Sequence, residues 1–123
     1  MPSNSLNPVG ERLCVVSCHV ERPLDDRVWA AFRRFQSRQP SGFRVAAIIR
    51  PPDPASGEDE ETWRQRARVA ACDGPLGHHT HFGGASTARP AAGSTRLGER
   101  IAAEARLFQD SGLAPRFFVG GGW

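Results

Sequence analysis

Three of the four histidines of this 123-residue chain stand together in the segment Gly77-His78-His79-Thr80-His81. A neutral imidazole nitrogen coordinates a metal ion without adding charge, which makes histidine the commonest side-chain metal ligand. In an extended segment residues i and i+2 point the same way, so His79 and His81 would share a face with Cα atoms about 6–7 Å apart. Two imidazoles could therefore meet on one ion. The alternative is a polar loop whose histidines are solvated or bonded to the backbone.

A second polar group follows the first apolar run of the chain. His19 and Glu21 again stand two residues apart, directly after Cys18. A carboxylate with two or three histidines is a recurring ligand set for Zn²⁺ and similar ions, with positions left for water. Such an ion promotes hydrolysis, because it lowers the pKa of a bound water and polarises a carbonyl oxygen. The ordinary alternatives are a hydrogen-bonded histidine at a strand end and a glutamate that is solvated or paired with Arg22 or Arg27.

Apolar runs and amphipathic segments alternate along the chain. The runs are typical of strands buried on both faces, and the segments carry apolar residues at helical spacing. Strands are expected at residues 13–18, 43–49, 75–81 and 115–119, with helices that end near residues 39, 73 and 112. The order βαβαβαβ predicts an α/β fold with parallel strands and right-handed crossovers.

Local signals indicate where the helices begin and which face they bury. Asp25 or Asp26 is a suitable N-cap for the first helix. The Ser-Gly-Glu-Asp segment at residues 56–59 resembles a capping box before the second helix. The face of the first helix that should pack on the sheet is marked by Val28, Trp29, Phe32 and Phe35.

The carboxyl ends of the expected strands collect the polar residues. In parallel α/β sheets and barrels, sites form beyond these ends. The second strand ends at Arg50 and Asp53, while the first and third end at the two histidine groups. We therefore expect His19 and Glu21 to face the same cleft as the histidines of the third strand.

Composition narrows the class of protein. All sixteen basic residues are arginine, they are spread along the chain, and the net charge is only +3. Since no basic block could follow a phosphate backbone, we expect no nucleic-acid partner.

The cysteines and the chain start bear on the compartment. The three cysteines follow no pairing pattern, and Cys14 and Cys18 are expected to be small buried hydrophobes in a reducing compartment. Residues 1–11 are expected to be a flexible lead-in without the apolar region of a signal peptide. No run has transmembrane length. We expect a cytoplasmic protein with no membrane partner.

These residues resemble the first half of a polysaccharide deacetylase of the NodB-homology type. The segment from Pro75 to Thr80 is similar to the family's second motif, Gly-Asn-His-Ser/Thr, whose metal-binding histidine corresponds to His79. The segment 17–21 lies where the first motif, with its catalytic and metal-binding aspartates, is expected. Residues 99–119 resemble the helix and strand that lead to the third motif. The resemblance implies a distorted (β/α) barrel that holds a divalent metal ion and removes N- or O-acetyl groups from sugars.

The chain departs from this family at each motif. The place of the second metal histidine, four residues after His79, is Gly83, so His81 is the candidate substitute. Glu21 is the one acid of the first-motif segment, and Val119 stands at the place of the third-motif arginine. A complete barrel usually needs upwards of about 200 residues. Residues 12–123 are therefore expected to be its N-terminal half.

Together these observations and the resemblance predict a polysaccharide deacetylase-like protein on a partial (β/α) barrel, an N-terminal half or truncated product acting on a carbohydrate substrate. His79, His81 and Glu21 would hold a divalent ion, with zinc expected and cobalt or nickel as alternatives. His19 and Glu21 are the candidate acid/base groups. A second hypothesis is another metal-dependent hydrolase on a related barrel. A third, from a different class, is a non-catalytic α/β module that acts through a partner or as a homodimer.

Overall fold

The computed structural model describes residues 14–80 and 96–120. Its elements, in chain order, are β1 (Ser17–Val20), α1 (Asp26–Ser37), β2 (Ala46–Ile49), α2 (Glu60–Asp73), β3 (Leu76–Thr80), α3 (Leu97–Asp110) and β4 (Phe117–Gly120), with a 3₁₀ turn at Pro54–Ser56. The strands form one parallel sheet in the order β1-β2-β3-β4. The predicted α/β fold of alternating strands and helices with parallel pairing is confirmed.

Some predictions fall outside this part of the chain. The expected flexible lead-in at residues 1–11 lies there, and so does the expected ligand His81. Within the described residues, none of the helices is long and apolar enough to cross a membrane.

Aspartates begin both of the first two helices. The Asp25 carboxylate accepts a hydrogen bond from the Arg27 N–H at the start of α1, as one of the two predicted caps. The Asp59 carboxylate accepts from the Thr62 N–H at the start of α2. Each bond satisfies a backbone donor that the first helical turn leaves unpaired.

The predicted capping box at residues 56–59 is wrong. Residues 54–56 form a separate 3₁₀ turn, capped by Asp53 and closed by Gly57 in the left-handed conformation at φ 79°. Glu58 turns back towards Arg50 instead of joining the helix start. α2 consequently begins only after Asp59.

The apolar core lies between the helices and one face of the sheet. Its members come from β1, β2, β3 and the three helices, and include Val20, Trp29, Phe32, Ala47, Ile49, Trp63, Ala67, Leu76 and Phe108. The prediction that Phe35 belongs to this face is wrong, because Phe35 is 49% exposed. Gln36 is buried in its place. Its amide donates to the carbonyls of Val45 and Asp73 and accepts from the Val45 N–H, which offsets the cost of burying a polar group.

The first strand begins later than predicted. Pairing with β2 starts at Ser17, opposite Ala46, and the Val16 carbonyl accepts from the Ala46 N–H, so Cys14 and Val15 precede the paired residues. Val15 is 62% exposed and Cys14 is also exposed, which makes the prediction of buried residues there wrong. Cys18 is half-buried, and β1 is an outer strand of the described sheet.

Alternation along the strands sends other side chains to the opposite face. Ala46, Ile48 and His79 lie on this second face and are all buried. His79 is therefore held away from the three helices, on the face where the candidate site forms.

Candidate metal centre

The candidate site joins the carboxyl ends of two strands that are not neighbours. His19 lies in β1, Glu21 directly follows that strand, and His79 lies near the end of β3. Between them runs β2, whose Ile48 is paired with both His19 and Gly77. Since His19 and Glu21 are two residues apart, both project to the face that also carries His79.

Glu21 stands between the two histidines. Its Oε1 lies 3.4 Å from Nδ1 of His19 and 3.4 Å from Nε2 of His79. The three side chains offer ligand atoms that all lie within 4.8 Å of one another. Two ligands of a tetrahedral zinc ion, each 2.0–2.1 Å from the metal, are separated by about 3.3 Å. The carboxylate therefore stands at a ligand-to-ligand distance from both rings, and the group could hold a metal ion.

A backbone carbonyl orients the His79 ring. Nδ1 of His79 lies 3.0 Å from the carbonyl oxygen of Val119 in β4. Because a carbonyl only accepts, Nδ1 must carry a proton, and in a neutral ring Nε2 would present its lone pair towards Glu21. The lone pairs of Nε2 and of the carboxylate repel one another unless a proton or a cation lies between them. Metal-binding histidines are oriented in this way, by a hydrogen bond from the nitrogen that does not bind the metal.

The site is closed at one end and open at the other. His79 is only 3% exposed, whereas the side chains of His19 and Glu21 are 38% and 44% exposed. The two imidazole rings lie 4.8 Å apart, tilted by 53°. An ion or a small substrate group can thus approach from the β1 side while His79 stays fixed.

The charged side chain of Arg50 was expected at the site. It lies there and donates a hydrogen bond to a backbone carbonyl. Its side chain is buried, and Nε donates to the carbonyl oxygen of Glu21 at 2.9 Å. Its guanidinium is paired with Glu58, which the sequence indicated only as part of a capping box. Asp53, expected beside it, caps the 3₁₀ turn instead. The hydrogen bond from the Ser56 hydroxyl lowers the pKa of the Asp53 carboxyl.

His78 belongs to a different polar cluster, on the helix side of the sheet. Nε2 of His78 lies 2.8 Å from Glu104 of α3, and the Thr80 hydroxyl donates to the same oxygen at 2.7 Å. Burial alone would raise the pKa of the Glu104 carboxyl, but the hydrogen bonds from His78, Thr80 and Arg100 outweigh it and hold the pKa below its usual range. This cluster fixes α3 to β3, whereas His79 lies on the other face of that strand.

The structure thus brings together three of the four residues named from the sequence. Glu21 and His79 meet as expected, and His19, expected as an acid/base group, stands at ligand distance from Glu21. The fourth, His81, lies outside the described residues.

Comparison with known proteins finds no family model, no curated protein and no solved structure that matches the chain.

Proposed function

We propose that His19, Glu21 and His79 bind a divalent metal ion, zinc before cobalt or nickel, and that the protein is a metal-dependent hydrolase. The observation that carries this proposal is the position of Glu21 Oε1, 3.4 Å from a nitrogen of each histidine. Two imidazoles and a carboxylate are a ligand set that zinc prefers. Three protein ligands with one open side are typical of catalytic rather than structural zinc sites.

The ion would supply one kind of chemistry, which is the polarisation of a carbonyl oxygen and the activation of water for attack. The residues of the chain have separate parts in this reaction. His79, which is buried and hydrogen-bonded to the Val119 carbonyl, would be the fixed ligand. His19 lies at the open end, where its ring is half-exposed. His19 would accordingly be the third ligand, beside Glu21.

For the substrate we propose an N- or O-acetylated carbohydrate. Support comes from the resemblance to polysaccharide deacetylases, which places a metal-binding acid after the first strand and a metal-binding histidine at the third. Glu21 follows β1, His79 lies in β3, and the two side chains are 3.4 Å apart, which supports this proposal. We further propose that the sheet is the first half of a (β/α) barrel. The sequential strand order supports this, as does the packing of all three described helices on one face.

The proposal is tested in two steps on the purified chain. After treatment with a chelator, the protein is titrated calorimetrically with Zn²⁺, and we expect about one ion per chain. Glu21→Gln should abolish this binding, whereas the matched control Glu61→Gln, at an exposed position of α2, should leave it unchanged. Bound Zn²⁺ should also raise the melting temperature of the wild type, because it binds only the folded state.

The second step measures acetate release from an acetylated chito-oligosaccharide. We expect metal-loaded wild type to release acetate, and the chelator or Glu21→Gln to stop it. Stoichiometric metal without acetate release from any acetylated sugar would leave a metal-binding module, or a hydrolase for another substrate. Absence of stoichiometric metal would contradict the proposed function altogether.

A further inference from the structure

We infer that Arg50, held by Glu58, is a positioning residue for the candidate ligand Glu21. This inference rests on the proposed function, since it assigns a role within the same metal site. The three residues come from different segments. Glu21 follows β1, Arg50 follows β2, and Glu58 precedes α2.

All three nitrogens of the Arg50 guanidinium donate hydrogen bonds. Its Nε donates to the Glu21 carbonyl at 2.9 Å, and Nη1 donates to the Pro51 carbonyl at 2.9 Å. Both terminal nitrogens donate to the Glu58 carboxylate, one to each oxygen. Arg50 is only 2% exposed, so these bonds replace its hydration shell. A planar guanidinium can make this two-pronged pair and still direct Nε at a third partner, which the ammonium of lysine cannot do.

Glu58 is itself fixed. Its Oε2 also accepts from the Asp53 N–H at 2.8 Å, and its side chain is 17% exposed. Burial alone would raise the pKa of the Glu58 carboxyl, but hydrogen bonds from Arg50 and from the Asp53 N–H outweigh it and hold the pKa below its usual range. Glu58 therefore stays charged at neutral pH and keeps Arg50 in one orientation.

The bond to Glu21 begins where the strand pairing stops. The paired residues of β1 and β2 end at Val20 opposite Ile49, one position before Glu21 and Arg50. The Arg50 side chain continues the connection between the two strands for one further residue. The backbone of Arg50 is anchored as well, because its carbonyl accepts from the indole N–H of the fully buried Trp63 at 2.8 Å.

The consequence is a defined path from the core to the ligand. Trp63 fixes the Arg50 backbone, Glu58 fixes the guanidinium, and Nε fixes the Glu21 carbonyl. The bond sets the Glu21 backbone from which the carboxylate must reach the fixed ring of His79. Hydrogen bonds that orient ligands in this way commonly contribute 10–100-fold to metal affinity.

The experiment compares three variants of the full chain for Co²⁺ affinity and for the visible absorption spectrum of bound Co²⁺. Arg50→Lys removes the donor to Glu21, and Glu58→Gln removes the charge that orients Arg50. The control is Asp53→Asn in the same turn. The Asp53 carboxylate accepts hydrogen bonds from Ala55 and Ser56, not from Arg50. Circular dichroism selects a temperature at which every variant is folded.

We expect Arg50→Lys and Glu58→Gln to weaken Co²⁺ binding by roughly tenfold or more and to change the Co²⁺ spectrum at saturation. Asp53→Asn should keep the wild-type affinity and spectrum. A purely structural role would lower the stability of the variants and leave the spectrum of their folded form unchanged. If Arg50→Lys does not fold, Glu58→Gln decides.

The outcomes separate this inference from the proposed function. Wild type that binds Co²⁺ through Glu21, with Glu58→Gln equal to it in affinity and spectrum, would overturn the positioning role alone. Wild type that binds no Co²⁺ would overturn both proposals. Equal losses in Glu58→Gln and Asp53→Asn would assign the effect to the turn as a whole, and would also overturn the specific role of Arg50.

Discussion

His78 and His79 are neighbours in β3, yet their rings lie on opposite faces of the sheet and bond to different parts of the chain. His78 is bonded to Glu104 of α3, while His79 is bonded to the Val119 carbonyl and faces Glu21. Both histidines are buried. A polar pair that looks uniform in sequence thus divides into a structural residue and a candidate ligand.

The two histidines should respond differently to the same substitution. We expect His79→Gln to weaken Zn²⁺ binding by more than about 100-fold, since loss of an orienting hydrogen bond alone costs 10–100-fold. We expect His78→Gln to keep the affinity and to lower the free energy of unfolding by about 1–3 kcal/mol, because it disturbs a buried charge-assisted hydrogen bond. Calorimetric titration and urea unfolding measure the two effects. Equal loss of metal in both variants would contradict the division of roles.

Glu104 should matter more to stability than an exposed acid of the same helix. It accepts hydrogen bonds from His78, Thr80 and Arg100. Glu104→Gln should lower the free energy of unfolding by about 2 kcal/mol, the range expected for hydrogen bonds to a charged group. The matched control is Glu99→Gln, at an exposed position of α3, which should change it by less than about 0.5 kcal/mol. Similar urea midpoints for the two variants would show that the cluster does not hold α3.

The pair of Glu58 and Arg50 should make stability fall in acid. The pKa of Glu58 is lower in the folded protein than in the unfolded chain, where a glutamate has a pKa of about 4.3. Its contribution is therefore complete above that unfolded value and is lost as the pH falls through the folded pKa. The difference in unfolding free energy between wild type and Glu58→Gln should shrink between pH 6 and pH 3 (chosen to span that range). Urea unfolding across this interval is the measurement, and a constant difference would contradict it.

Gly77 leaves space that a neighbouring side chain fills. A Cβ built at this position would collide with Cδ1 of Ile48, which is 1% exposed, and would lie 3.3 Å from the Phe117 carbonyl oxygen. Gly77→Ala should therefore cost about 1–3 kcal/mol of unfolding free energy, as overpacked cores do. In an Ile48→Val background, which lacks that carbon, the same change should cost less. A double-mutant cycle measures the coupling, and strictly additive effects would place the cause elsewhere.

Much of the fold was predictable because it depends on the spacing of apolar residues and on the order of strands and helices along the chain. The alternation of apolar runs with helical spacing predicted every described strand and helix, and parallel pairing followed from their order. The error at β1 has a physical cause. An apolar run predicts burial wherever it lies, but pairing can begin only where β2 supplies a partner, at Ala46 opposite Ser17. Val15 and its neighbours precede that point.

The candidate site was predictable in part for the same reason. In a parallel sheet, residues two apart share a face and the carboxyl ends of the strands lie at one edge. The spacing of His19 and Glu21 and the position of His79 at a strand end therefore indicated that the three residues would meet. The bond from Arg50 to Glu58 does not, because it depends on how a proline-containing turn folds back over eight residues. The burial of Gln36 instead of Phe35 was not predicted either. The amide of Gln36 bonds to the carbonyls of Val45 and Asp73, which are distant from it in sequence.

The site takes His19 from β1, Glu21 from the position directly after β1, and His79 from β3, with β2 between them. In the described sheet β1 pairs along one side only, and strands of that kind open most readily in native-state fluctuations. An ion shared by His19, Glu21 and His79 would connect β1 to β3 across β2. Its loading would then be recorded as slower amide hydrogen exchange in Ser17–Val20, a readout of occupancy that needs no substrate.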